Sequence, residues 1–329
     1  MITNLNSNLF SCKITNYKTN KEETIVITND NLDIGFIDQV WNKLDNKYKL
    51  ELIKLLAKRI CKENNLPDVN LIIEDQFAYA ASYEGNHTVI VDKNELNNTG
   101  ILIYSIVYHE LKHYYDDLFL QNKIDDRECY FAYNLEKMKE QIANKTYCAA
   151  SGYFFVPTMQ PFHDFFVKMH EAFYYRSPME YNAFILGNNK AISLAQNDKL
   201  KDYLNENDFK EIEEVKIYLK SVEDYNSQEH EFDEYENLWR KLYFYRNYND
   251  CNEQKEKDGI GEKYIERIHS KLESMFETIV LYKFLENKKW LSKYNVKEYK
   301  DMYKLNESKI NAIYDKFEKE YKEEKRGRN

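Results

Sequence analysis

The sequence predicts an α+β protein, mostly helical, with a few short strands in its first hundred residues. Three observations carry that expectation. Gly (8) and Pro (4) are scarce among 329 residues, too few for the turns of a many-stranded sandwich or propeller. Hydrophobic residues make up 43%, enough for a core and too many for a disordered chain. Short β-prone runs near the start then give way to long stretches with apolar residues at helical spacing.

Leu9–Asn16 and Glu23–Asn29 flank the polar stretch YKTNKE and read as a hairpin. Asp33 to about Asn64 reads as helix, with a break near Asn46 and a stop at Pro67. Short strands follow at Val69–Ile73, Ala78–Tyr83 and His87–Asp92, the last two joined by a turn at Glu84-Gly85-Asn86. The run Thr88-Val89-Ile90-Val91 is typical β-branched filling. Thr99 is an N-cap for a helix over Gly100–Leu120. Further helices are expected at about Asp126–Ala143, at Pro161–Tyr175 and from Ser177 onward, with Thr146–Phe162 as loop. Beyond about Lys190 the pattern is helical, apart from the polar linker Asn247–Gly261 and a charged, frayed end from Glu318. The expected division is a domain over residues 1–190 and a helical extension over 191–329.

The formal net charge is −9, which argues against a nucleic-acid binder running on bulk charge. No apolar run approaches the ~20 residues of a membrane span, and the first twenty residues lack the pattern of a signal peptide. The five cysteines are scattered, odd in number and without a CxxC, as in a protein with reduced thiols. The expected compartment is therefore the cytoplasm.

Residues 109–113 read His-Glu-Leu-Lys-His, an HExxH motif inside the helix expected at 100–120. On a helix, positions i and i+4 lie on one face, one turn apart. His109 and His113 can then reach one Zn²⁺ at about 2.0–2.1 Å each. Glu110 is rotated by about 100°, poorly placed to join the pair as a ligand and well placed to act as general base on a water in an open position. The plain alternative is a pair of buried, satisfied histidines. The helix has one apolar stripe at Ile103, Val107, Leu111 and Leu118, and a second at Leu102, Ile106, His109, His113 and Asp116. Ser105, Tyr108, Lys112 and Tyr115 form a narrower polar side. A helix apolar on two sides is internal.

A zinc site needs a third protein ligand. Asp116 lies on the His face about 4.5 Å further along the axis than His113, and its short side chain suits it to support a ligand rather than to be one. His163, His170 and Glu171 precede the next candidate, Glu180. Glu180 has two readings: a third ligand, or the N3 position of a capping box that begins at Ser177 with Pro178 at N1. Ala183 is small enough to let that helix approach the metal helix. Of the other histidines, His87 is expected to be exposed at a strand start, and His230 and His269 lack ligand spacing. The many tyrosines do not single out an oxyanion donor, and Tyr174 and Tyr175 read as packing residues.

HExxH at 109–113, the stretch SYEGNHTVIVDKNEL at 82–96 and Pro178-Met179-Glu180-Tyr181-Asn182-Ala183 together resemble the zincin metallopeptidases of the gluzincin type, in particular compact bacterial and phage members with a P-x-E-x-x-A segment. The resemblance covers roughly residues 69–190. It implies a zincin-like domain, with a short antiparallel sheet packed on the HExxH helix. It also implies Zn²⁺ as cofactor, Glu110 as base, and His109, His113 and Glu180 as ligands. The spacing from His113 to Glu180 is longer than in the most compact members. The implied function is a zinc-dependent peptidase acting on a peptide or protein substrate, with no nucleic-acid or membrane partner. The rival is a non-enzymatic helical interaction or scaffold protein with a structural or vestigial metal site. In either case the C-terminal helices offer a surface for a protein partner.

Overall fold

A computed structural model describes residues 10–75, 80–121 and 162–227, with scattered positions between 123 and 139. Within them the protein is α+β, mostly helical, with two small sheets. The chain divides into two units, Met1–Ile142 with Pro178–Gln228, and Ala143–Ser177 with Glu229–Asn329. The helices expected at 126–143 and beyond 228, and the loop at 146–162, fall largely or wholly outside the described residues.

In the first unit, β1 (Phe10–Asn16) and β2 (Lys21–Ile27) form an antiparallel hairpin with Phe10 opposite Ile27 and Asn16 opposite Lys21. Alternate residues of β1, namely Phe10, Cys12, Ile14 and Asn16, are buried, the period-2 pattern of a sheet with one covered face. The helical run expected from Asp33 is instead three pieces. A 3-10 turn spans Asn29–Phe36, a single turn α1 spans Asp38–Trp41, and α2 spans Asn46–Glu63. The break comes at Asp45, whose side chain caps α2 by accepting from the Tyr48 amide. α2 buries Leu52, Ile53, Leu56, Ala57, Ile60 and Cys61, each large side chain contributing about 1.5–3 kcal/mol. Cys12 and Cys61 are free and buried.

Three strands follow, β3 (Asn70–Glu74), β4 (Ala81–Tyr83) and β5 (Thr88–Asp92), in spatial order β3-β5-β4. The sheet is mixed, not antiparallel throughout: β5 runs parallel to β3 and antiparallel to β4. Each strand reverses the one before, and β5 inserts between the other two, so it must parallel β3. β5 is also the strand that buries Val89 and Val91, and the centre covers it on both edges. The β4–β5 turn uses three consecutive left-handed residues, Gly85 (φ 78), Asn86 (φ 47) and His87 (φ 58). Asn and His are among the non-glycine residues that best tolerate this region. His87, expected to be exposed, is half-buried, with Nδ1 2.6 Å from the Tyr114 hydroxyl.

α3 spans Gly100–Leu120 and is capped by Thr99, whose side chain accepts from the Leu102 amide. A Cβ on Gly100 would lie 2.2 Å from the Phe36 carbonyl oxygen, so only glycine lets α3 start this close to the earlier turn. The expected apolar stripe of Ile103, Val107, Leu111 and Leu118 is buried. The expected polar side is buried as well: Ser105, Tyr108, Lys112 and Tyr115 all face protein. Lys112 resolves its charge by pairing with Asp116 one turn on, both fully buried.

In the second unit, α4 spans Phe162–Arg176, and the rings of Tyr174 and Tyr175 meet edge to face. Back in the first unit, α5 spans Pro178–Ser193 and α6 spans Glu206–Ser227. Between them, where continuous helix was expected, lie 3-10 turns at Leu194–Gln196 and Lys201–Tyr203. Asn205 and Asp208 cap α6 reciprocally, amide to side chain in both directions, at 2.9 Å. The other Asp208 oxygen accepts from the Asp38 amide at the start of α1 at 2.7 Å. Among the described residues, no helix is long and apolar enough to cross a membrane.

Candidate metal centre

α3 and α5 lie side by side and antiparallel: Glu180 meets His109 and His113, Phe184 meets His109, and Asn188 meets Ser105. The closest approach is at Gly187, where a Cβ would fall 2.5 Å from the Ser105 carbonyl oxygen and 3.4 Å from the His109 Cβ. Ala183 is buried in the same helix, but Gly187 is the position that has no room for a side chain. One side of the contact is closed by the Ser105 hydroxyl donating to the side-chain Oδ1 of Asn188 at 3.0 Å. The other carries an edge-to-face contact of Phe184 on the His109 ring, with centroids 4.5 Å apart. These contacts hold the His109 imidazole between two helices.

The three predicted ligand atoms converge. The Nε2 atoms of His109 and His113 are 3.0 Å apart, and Glu180 Oε2 lies 3.3 Å from the first and 3.4 Å from the second. Ligand atoms held at about 2.0–2.1 Å from one tetrahedral ion are about 3.3–3.4 Å from each other, so the spacing suits a shared ion. Glu180 Oε2 is also buried with no hydrogen bond in good geometry. Two ring nitrogens and a carboxylate oxygen within 3.4 Å of one another are a donor set that could hold a metal ion. Among the described residues, His109, His113 and Glu180 are the group that could hold a metal ion.

The electrostatics agree with that grouping. Burial pushes the Glu180 carboxyl up, but the His113 charge and the contacts with both imidazoles outweigh it and hold Glu180 well below the usual carboxylate range. Burial pulls His113 down, while Glu180 and then Glu110 and Asp116 raise it, to about 9 without metal. Glu110 is buried beside the group, with Oε1 3.9 Å from His109 Nε2. Burial raises its pKa, partly offset by the two histidines.

Asp116 lies outside the converging group; it pairs with Lys112 and acts on His113 through its charge. His163, His170 and Glu171 lie on α4, in the other unit, and their side chains fall outside the described residues. His230 and His269 are likewise outside. One participant escapes the sequence reading, Gly187. A lone glycine inside a helical pattern is a readable signal of close packing.

Comparison with family models, with curated protein sequences and with solved structures gives no match.

Proposed function

We propose that the chain is a zinc-dependent peptidase, with His109, His113 and Glu180 as ligands and Glu110 as general base. The observation that carries this reading is the convergence of three ligand atoms from two helices, with a second carboxylate, Glu110, buried beside them and outside the set. Three protein ligands leave one position of a tetrahedral ion open, as catalytic zinc sites do, where structural sites use four. The resemblance to gluzincin-type zincins assigns the same four residues the same roles. When bound, the zinc ion supplies Lewis acidity toward a carbonyl and toward water. Glu110, raised by burial, takes a proton from the attacking water as its oxygen bonds to the peptide carbonyl carbon. It then returns that proton to the leaving amine as the C–N bond breaks. Glu180 stays anionic throughout. The substrate lies extended along the free edge of β4, pairing with the outward backbone groups of Ala81.

The test combines metal analysis with digestion. Protein purified without added metal should carry close to one zinc per chain, and mixed peptides should be cleaved. Glu110→Gln should keep the zinc and lose cleavage by about 10³-fold or more. Loss of zinc in that variant would make Glu110 a ligand. Iron in place of zinc would point instead to the oxygen chemistry that two histidines and one carboxylate also support.

A further inference from the structure

We propose that Asn188 is a positioning residue. Its hydrogen bond to Ser105 keys the axial register of α5 on α3 and so holds Glu180 within reach of both histidines. The inference rests on the reading of His109, His113 and Glu180 as metal ligands. On α5, Glu180, Phe184 and Asn188 follow one another at four-residue steps, and on α3 so do Ser105, His109 and His113. Residues four apart share a helix face, so each helix presents a row of three. The antiparallel rows meet in order. Glu180 Oε2 lies 3.3 Å and 3.4 Å from the two Nε2 atoms. The Phe184 and His109 rings meet edge to face with centroids 4.5 Å apart. Asn188 Oδ1 accepts from the Ser105 hydroxyl at 3.0 Å. Asn188 is therefore about 12 Å along the axis from Glu180, on the same face and outside the ligand set.

The neighbouring contacts fix closeness better than register. Ala183, Gly187 and Ala191 recur at four-residue steps and are buried on α5. Gly187 sets how near the helices come. Register between packed helices comes from ridges of side chains seated in grooves, and a row of small residues raises no tall ridge against sliding. Apolar burial is non-directional. The Lys190 amine sits 5.5 Å from the centre of the Tyr108 ring, on a long side chain that can follow a shift. A hydrogen bond weakens steeply with distance and angle, so Ser105–Asn188 resists displacement along the axis. Asn188 is only 4% exposed, and its Nδ2 is buried with no hydrogen-bond partner. Such a donor carries a cost, whereas an apolar group of the same shape would not. Stability alone thus favours leucine at this position. A buried polar residue kept at a cost to stability is the device by which coiled coils fix their register.

The consequence for the site is selective. Metal ligands tolerate errors of about 0.2 Å, while packed helices shift past each other by about 1–2 Å. Such a shift of α5 carries Glu180 away and leaves His109 and His113 where they are, because both ride on α3. Loss of register therefore removes one identifiable ligand instead of loosening the whole centre.

The experiment separates register from stability with N188L, S105A and the double variant. Leucine keeps the branching of asparagine without its polar atoms, and the freed Ser105 hydroxyl can donate to the carbonyl four residues back. Metal-free N188L should melt within about 4 °C of wild type or above it, yet its zinc affinity should fall about 10–100-fold. With cobalt in place of zinc, its absorption spectrum should move toward that of E180A, which has lost the carboxylate. In the metal-free protein the NOE between the His109 and Phe184 rings should weaken severalfold for a shift of about 1–2 Å. S105A removes the same hydrogen bond from the other helix and should show the same cobalt and NOE changes; it carries the test if N188L does not fold. The double variant should bind zinc no worse than the poorer single one. Wild-type zinc affinity and cobalt spectrum in N188L and S105A overturn the proposal. So does a lowered melting temperature with weaker zinc binding and a wild-type cobalt spectrum, because Asn188 then only stabilises. A wild type that takes up neither zinc nor cobalt sinks the metal-site reading instead, and the ring NOE in N188L and S105A still decides whether Asn188 sets the register.

Discussion

Glu180 and His113 show how strongly two side chains can set each other's charge when both are buried. Replacing Glu180 by Gln keeps the shape and removes the anion. If Glu180 served only as a helix cap the change would be nearly silent, because Gln also fits a capping box. As a ligand it should cost metal affinity at least about 100-fold, since even supporting contacts outside a ligand set cost 10–100-fold. Competition with a chelating dye measures this. The same pair imposes a pH dependence. His113 must be neutral to bind metal, and without metal its pKa is about 9 because Glu180 outweighs burial. From pH 7 to about 9, uptake displaces one proton, so affinity should rise about tenfold per pH unit and level off above. Glu180→Gln removes the cause and should flatten that slope. A steep slope persisting in the variant would assign the proton elsewhere.

The HExxH helix and its partner meet through a glycine, and at the scale of elements that contact governs the site. Gly187→Ala would ordinarily favour α5, since alanine is better than glycine inside a helix by about 1 kcal/mol. Here the added Cβ would lie 2.5 Å from a backbone oxygen of α3, which cannot rotate away. The helices must part, at about 1–3 kcal/mol. The steric term wins, so denaturant unfolding of the apo-protein should show net destabilisation. Zinc affinity should fall about tenfold in parallel, because Glu180 rides on α5 about two turns away. A Gly187→Ala variant as stable as the original would mean that α5 and α3 are less tightly apposed than described.

Across the whole molecule, a metal held by the proposed site would join segments far apart in sequence: His109 and His113 sit on α3 and Glu180 on α5, with residues 121–177 between them. An ion that binds only the folded arrangement stabilises it by mass action, about 4 kcal/mol at a thousandfold excess over Kd. For a unit of this size that corresponds to a rise in Tm of about 10 °C. His109→Ala should abolish the shift, and a shift that survives would place the metal at another site. Without metal the sign with pH is the reverse of the affinity trend. The raised His113 pKa stabilises the folded chain fully below its ordinary 6.5, and that contribution disappears as the pH passes about 9.

Much of this was legible before any coordinates. The α3 boundaries and the Thr99 cap follow from local rules, because a cap and a 3.6-residue period act within a few residues of chain. His109 and His113 share a face for the same reason, and the HExxH spacing alone placed Glu110 off that face. What the sequence could not decide depends on groups brought together from afar. Whether Glu180 capped its own helix or met the histidines turned on how α5 packs on α3, which one glycine against one carbonyl settles. Lys112 reads from sequence as part of a narrower polar side; its burial depends on Asp116 being a neutralising partner in the same closed interior. The strand order β3-β5-β4 arises from insertion of the most apolar strand between two others, and local propensity carries no record of which neighbour a strand will choose. By itself, the sequence determined α3, its Thr99 cap and the placing of His109, Glu110 and His113 around it. Only the tertiary structure decided which faces meet, because contact between distant segments is set by shape and burial, not by the residues next in line.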